Sequence, residues 1–320
     1  MELRVRHQTT YHYLTPVDMA QHMLHLSPRP TALQRVLTHQ LAIDPPPAAR
    51  HQTEDAFGNV RTFFAQQAPH DALTVTADST VSTAAPKPLP EGAPWKAMTW
   101  ERAREFFRYR VNAPYEAAAE FAYASPMVPR DDAFSAWARP AFAPGVPLLQ
   151  ATRALMERMH AELVYVTASS EVNTPPLEAL AQGKGVCQDF AHIMIGCLLT
   201  LGLPARKVTG YHLTQPRPGR PRLVGADASH AWVSVYAPGS DDQPGQWFDF
   251  DPTNNRCGWG SPGEEYVTLA IGRDFSDVSP MRGVIQGGAQ HTLDVAVTVA
   301  PPAEFDSPGV PAATGGPPIE

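Results

Sequence analysis

Cysteine is scarce in this chain. Its three residues, Cys187, Cys197 and Cys257, are odd in number and contain no C-x-x-C pair, so neither a disulfide framework nor a four-thiolate zinc site is offered. Long apolar runs are also missing. No stretch reaches the roughly 18 residues a membrane helix needs, and the opening MELRVRHQTTYHY lacks the apolar core of a signal peptide. The expectation is a soluble, cytoplasmic protein with no membrane partner. Basic charge is short too: the formal net charge is −7, the wrong sign for a nucleic-acid binder. Proline, in contrast, is abundant at 34 residues, which favours punctuated loops over long helices.

The first eighty or so residues read as β. Leu3, Val5, His7, Thr9, Tyr11 and Tyr13 alternate with more polar positions, as do Leu73, Val75, Ala77, Ser79 and Val81. LTHQLAI (37–43) and VRTFFA (60–65) add strands, and DAFGN (55–59) supplies turn chemistry. A small antiparallel domain over 1–85 follows, then a proline-rich linker over 86–98. Helical signals come next. Thr99 is placed to cap TWERAREFFRYRV, and Leu148, Ala151, Leu155, Met159 and Leu163 recur at steps of three and four. Strand candidates RKVTGYHL, HAWVSVYA, GQWFDFD, YVTLAIG and TLDVAVTV complete a domain over 99–299. Residues 300–320 are rich in Pro and Gly and read as a disordered tail.

GVCQDFAHIMIGC (185–197) opens a helix on a cysteine. Residues Cys187, Phe190, Met194, Cys197 and Leu201 fall on one face, a core stripe that Gly202 and Pro204 bring to an end. Cys197 fits a buried apolar position. Cys187 sits in the first turn, where free N–H groups and the helix dipole favour a thiolate and can hold an oxyanion. The segment alone leaves nucleophile and buried thiol both open. GKG (183–185) is not a phosphate loop, because Glu178 and Gly185 stand where that motif needs Gly and Ser or Thr.

A cysteine nucleophile needs a base, and the base needs an orienting group. His230 opens the alternating strand HAWVSVYA. Asp249 and Asp251 share a face of QWFDFD, and Pro252 leaves Asp251 at the strand's end. If the two strands pair as a hairpin, a carboxylate at that terminus can reach the ring of His230.

GVCQDFAH, LGLPARKVTGY, SHAWVSVY and WFDFDPTNN together resemble the bacterial transglutaminase-like family, whose fold is related to papain-type cysteine proteases. YHYLTPV, HLSPRP and DAFGN resemble the β-rich domain that precedes that core, and AIGRDFSDVSPMRGVIQGG (270–288) resembles the segment after it. The resemblance implies an α+β fold: helices packed on an antiparallel sheet, preceded by a small β-rich domain. It implies Cys187 as nucleophile, His230 as base and acid, and Asp251 as the orienting group, with Asp249 its competitor. Animal transglutaminases carry Gly-Gln-Cys-Trp around the nucleophile. Here Gly-Val-Cys-Gln lacks the aromatic, and no acidic calcium loop is visible.

The expected activity is thiol-dependent acyl transfer on an amide of a peptide or protein, with hydrolysis favoured because water needs no dedicated site. Transfer to an amine, deamidation of glutamine side chains, and a non-catalytic peptide-binding module are the alternatives. Gln182 is a candidate second oxyanion donor, or a surface amide. Asp189 and His192 are placed to pair behind the site, or to form a solvated edge. Trp232 either walls the site or belongs to the core, and Tyr211 and His212 are candidates to line the cleft. No cofactor or metal is expected. A site on Cys187, His192 and His230 is disfavoured, since five residues turn about 140° around a helix.

Overall fold

The alternation that opens the chain becomes one long strand, β1 (Glu2–Leu24). The computed structural model describes residues 1–112, 114–167, 174–214, 229–240, 242–288 and 290–305. Strands β2 (Gln34–Asp44), β3 (Ala49–Glu54), β4 (Val60–Gln66) and β5 (His70–Thr83) follow, in the antiparallel order β2-β5-β1-β4-β3. The first half of β1 pairs with β5 and its last residues pair with β4, with a register break between His12 and Val17. Leu3, Val5, Leu73, Val75 and Val81 are buried as their alternation requires.

The proline-rich stretch does not hang free. It contains a helical turn, α1 (Pro94–Ala97), whose Trp95 is buried with ring centroids 6.0 Å from Phe248 and 5.7 Å from Trp259. An indole that finds aromatic partners ties a linker down. Helix α2 (Trp100–Phe106) begins where the sequence predicts, with Thr99 Oγ accepting from the Arg102 N–H. After α3 (Asp132–Ala138) comes α4 (Leu148–Glu162), which buries the predicted stripe of Leu148, Ala151, Leu155 and Met159. Two short parallel strands, β6 (Val164–Tyr165) and β7 (Lys184–Gly185), flank α5 (Pro176–Gln182).

Helix α6 (Cys187–Thr200) differs from its expected one-sided stripe: Asp189 through Leu199 are all buried. The helices cover one side of α6 and the sheet covers the other, so it is a central helix. That sheet is β11-β10-β9-β8-β12, built from β8 (Ala205–His212), β9 (Ser229–Ala237), β10 (Gln246–Asp251), β11 (Arg256–Trp259) and β12 (Tyr266–Gly272). Every pairing in it is antiparallel.

Beyond the turn α7 (Phe275–Val278), the domain boundaries drawn from the sequence need correction. Strands β13 (Met281–Gly287) and β14 (His291–Ala300) leave the five-stranded sheet behind and pair with β1. The N-terminal sheet is therefore assembled from both ends of the chain. Alternation marked 292–299 as a strand but carries no information about its partner. The tail expected from residue 300 also starts later: α8 (Pro302–Phe305) sets the Phe305 ring 4.5 Å from the Arg4 guanidinium carbon. The rest of that tail, 306–320, lies outside the described residues.

The two sheets share a core, in which Leu3, Val75 and Val299 cluster with Tyr211, Val267 and Leu269. β12 is an edge strand, and its outer N–H and C=O groups need partners. Two buried amides from the N-terminal part supply them. Gln34 accepts from the Thr268 N–H and donates to Thr268 O, each at 2.7 Å. Asn59 does the same at Ile271, at 2.9 and 2.7 Å.

Candidate active site

Gly185 leads into α6 by passing close to its first turn. Asp189 Oδ2 accepts from the Val186 N–H at 2.8 Å, pinning the helix start. Cys187 is the first helical residue and is partly exposed. Its sulfur meets the His230 side chain and the Ala231 N–H, both from the start of β9.

His230 and Asp251 meet because β9 and β10 are neighbours, with Phe250 opposite Val233. His230 Nε2 donates to Asp251 Oδ2 at 2.7 Å, which leaves Nδ1 as the ring nitrogen for the thiol. Asp251 is fully buried and heavily tethered. Oδ1 accepts from the N–H groups of Thr253 (2.9 Å) and Asn254 (3.2 Å). Oδ2 also accepts from Tyr266 Oη–H at 2.7 Å and Asn254 Nδ2–H at 2.8 Å.

Electrostatics follow from these contacts. Burial pushes the Cys187 thiol up, but the hydrogen bond and charge of His230, the Lys207 ammonium and the Ala231 N–H outweigh it, so the thiol lies below its ordinary value. Burial pushes His230 down, and the bonds to Asp251 and Cys187 together with their charges reverse that, so the ring lies well above. Asp251 is held low by His230, Tyr266 and Asn254 against its burial. These shifts run in the direction of a thiolate–imidazolium pair, with the Asp251 carboxylate behind the ring.

The other sequence candidates divide. Asp249 is not at the site: it accepts a short hydrogen bond from Ser234 Oγ and, with Arg29, Arg206 and Trp247, lines a cavity of about 390 Å³ that none of Cys187, His230 and Asp251 borders. Gln182 is exposed on α5 and donates to Glu178 at 2.9 Å. Asp189 and His192 are both buried rather than solvated, and His192 Nε2 accepts from the Phe275 N–H at 3.2 Å. Trp232 is core, fully buried with Val208, Tyr266 and Ile271, and its indole stacks behind His230 at 6.1 Å. Tyr211 is buried under His7, whereas the His212 ring lies 5.8 Å from His230. Cys197 is buried, which pushes its thiol up. Among the described residues, no three His, Cys, Asp or Glu side chains are grouped as metal ligands.

Sequence reading missed Tyr266, Asn254 and Lys207. Asn254 stood within the quoted WFDFDPTNN, three residues after Asp251. Tyr266 and Lys207 reach the site only through strand pairing, so no local pattern marks them.

Comparison with known proteins agrees with this architecture. Residues 3–82 match the bacterial transglutaminase-like N-terminal region, and residues 135–252 match the core of the transglutaminase-like superfamily. Over 301 residues the chain is 37% identical to the uncharacterized protein Rv2569c of Mycobacterium tuberculosis, covering 93% of this chain and 92% of that one. It is 31% identical over 310 residues to the uncharacterized protein ML0607 of Mycobacterium leprae, covering 93% and 98%. The solved structure of a "putative cysteine protease" of Cytophaga hutchinsonii superposes with a TM-score of 0.70 at 18% identity, covering 100% of this chain and 96% of that one. At that identity the likeness speaks for the fold.

Proposed function

Because the chain belongs to the transglutaminase-like superfamily, we propose that it is a thiol-dependent acyl-transfer enzyme acting on an amide bond of a peptide or protein, with hydrolysis as its main outcome. The observation that carries this reading is His230, hydrogen-bonded to Asp251 on one side and to the Cys187 thiol on the other.

The Cys187 thiolate attacks the amide carbon, and the negative charge moves to the carbonyl oxygen. The first-turn N–H of α6 faces that oxyanion. The tetrahedral adduct collapses, the C–N bond breaks, and the amine leaves with the proton from His230. A thioester on Cys187 remains. His230, now neutral, takes a proton from water as the water oxygen attacks the thioester, which releases the acid and restores the thiolate. Asp251 keeps Nε2–H directed away from the reaction, so that Nδ1 does the proton transfer throughout.

Exposed Val164 and Tyr165 lie on the strand beside Gly185 and offer an extended apolar edge to a peptide chain. Hydrolysis is favoured over amine transfer because water needs no acceptor pocket, and because Gln188 stands where animal transglutaminases have tryptophan. Incubating a peptide library with and without an added amine, followed by mass spectrometry, tests the reading. Chain cleavage or side-chain deamidation supports hydrolysis, and amine adducts would replace it with transfer. Products that appear equally with Cys187→Ala would remove the enzyme reading.

A further inference from the structure

A lysine lies beneath Cys187 that acyl transfer by Cys187, His230 and Asp251 leaves without a role. Lys207, on β8, is 1% exposed. A buried ammonium is costly unless it is paired or put to use. Strand alternation fixes the direction of its side chain. Ala205, two residues earlier, packs in the core with α6, whereas Val208 belongs to the cluster on the opposite face with Trp232. Lys207 therefore points at α6, with its Nζ 5.7 Å from the Phe275 ring.

Register brings it to the nucleophile. Lys207 pairs with Val233 on β9. Ala231, two residues along β9 on the same face, is then the diagonal neighbour of Lys207, roughly 7–8 Å away. The Ala231 N–H is the group that bonds the Cys187 sulfur. A lysine stem spans most of that diagonal.

The acids around Lys207 are already engaged. Asp189, on α6, accepts from the Val186 N–H, and Asp274, ahead of α7, accepts from the N–H groups of Met127 and Ser276 and from Ser276 Oγ–H. His192, also on α6, is driven neutral by burial and then by the Lys207 charge, down to about 3, so it adds no second cation. Among the described residues, the other charge that acts on Lys207 is the Cys187 sulfur, which His230 also meets.

We infer that Lys207 is a positioning residue of this site, a fixed buried cation that holds Cys187 as the thiolate. The inference rests on the acyl-transfer reading and adds a component to it. His230 surrenders its proton to the leaving amine in each turnover and so cannot be a constant positive charge. Lys207 takes no part in that transfer and can. Burial lowers its pKa to about 8, with Cys187, Asp274 and Asp189 pulling upward, so the ammonium form predominates at neutral pH.

The test is the pH profile of Cys187 alkylation by iodoacetamide in the full chain. Site-resolved mass spectrometry separates Cys187 from Cys197 and Cys257, and a thermal melt runs alongside. Lys207→Met should raise the Cys187 midpoint by about one unit and slow alkylation at pH 6 about tenfold, with rates converging in alkali. Lys207→Gln, which keeps a polar tip, should do the same and serves if the Met variant fails to fold. A folded variant that melts earlier but keeps the wild-type midpoint would show a purely structural lysine and overturn the inference. A wild-type midpoint at the free-thiol value would remove the thiolate reading of the site and this inference together.

Discussion

Tyr266 Oη donates to Asp251 Oδ2 at 2.7 Å, the same oxygen that receives His230 Nε2–H. Tyr266 is on β12, three strands away from β10 in the sheet order. Its ring lies 6.0 Å from His230 and 5.4 Å from Trp232, so the tyrosine is at once a wall behind the imidazole and a second anchor for the carboxylate.

Tyr266→Phe keeps the ring and removes the anchor. Asp251 retains His230, Asn254 and two backbone N–H groups, so the fold should lose only about 1.5 kcal/mol, the worth of one hydrogen bond to a charged group at its low end. Cys187 alkylation at pH 6 should fall about tenfold as the imidazole loses its fixed orientation. An unchanged rate in a folded variant would show that Tyr266 only fills space.

Asp251 and Asp249 share a strand face and are separable by substitution. Asp251→Asn should reduce peptide turnover about 10³-fold or more by reversing the donor that orients the ring. Asp249→Asn should leave turnover within about threefold, since its partners are Ser234 and Arg206 rather than His230. Equal losses in the two variants would contradict the assignment.

Asp249 has its own pH signature. Burial raises its carboxyl to about 6, against the pull of Ser234 and Arg206. A raised acid contributes stability that is full below the ordinary carboxylate range and is lost as pH climbs through about 6. Urea titrations of wild type and Asp249→Asn should diverge between about pH 4 and 6, by up to roughly 3 kcal/mol for a shift of about two units. Parallel curves would show that the group is not buried as an acid.

The Cys187 thiol lies below its ordinary value, so at pH 6 it should be labelled faster than a free thiol, which is almost wholly protonated there. Cys187→Ala should abolish that labelling and Cys197→Ala should not. His230→Ala removes both the hydrogen bond and the charge, and the rate at pH 6 should drop more than about tenfold. Labelling that survives Cys187→Ala would place the reactive thiol elsewhere.

Gly185 is required by a close approach. A Cβ there would lie 2.7 Å from Asp189 Cβ and Oδ2, the oxygen that caps Val186. Gly185→Ala should cost about 1–3 kcal/mol in urea unfolding, through the lost cap and the overpacking. It should also slow Cys187 alkylation, because α6 begins two residues later. A variant as stable as wild type would show that the turn relaxes freely.

The residues alone marked much of the secondary structure and pointed to Cys187, His230 and Asp251, which the structure brings together. Alternation over 2–13 and 73–81, the Thr99 cap, the α4 stripe and the cysteine at the start of α6 are local signals, because burial imposes a period of 2 or 3.6 on whatever is adjacent in the chain. Cys187, His230 and Asp251 were legible because each sits at the end of an element, within motifs that resemble one family. Tertiary structure decided what is not periodic. It chose Asp251 over Asp249, since two acids on one strand face differ only in what lies across the sheet. It sent β13 and β14 back to β1, buried α6 on all sides, and brought Tyr266 and Lys207 to the site from other strands. Each of these is a choice of partner between groups distant in sequence, and a partner leaves no period in the chain that it joins.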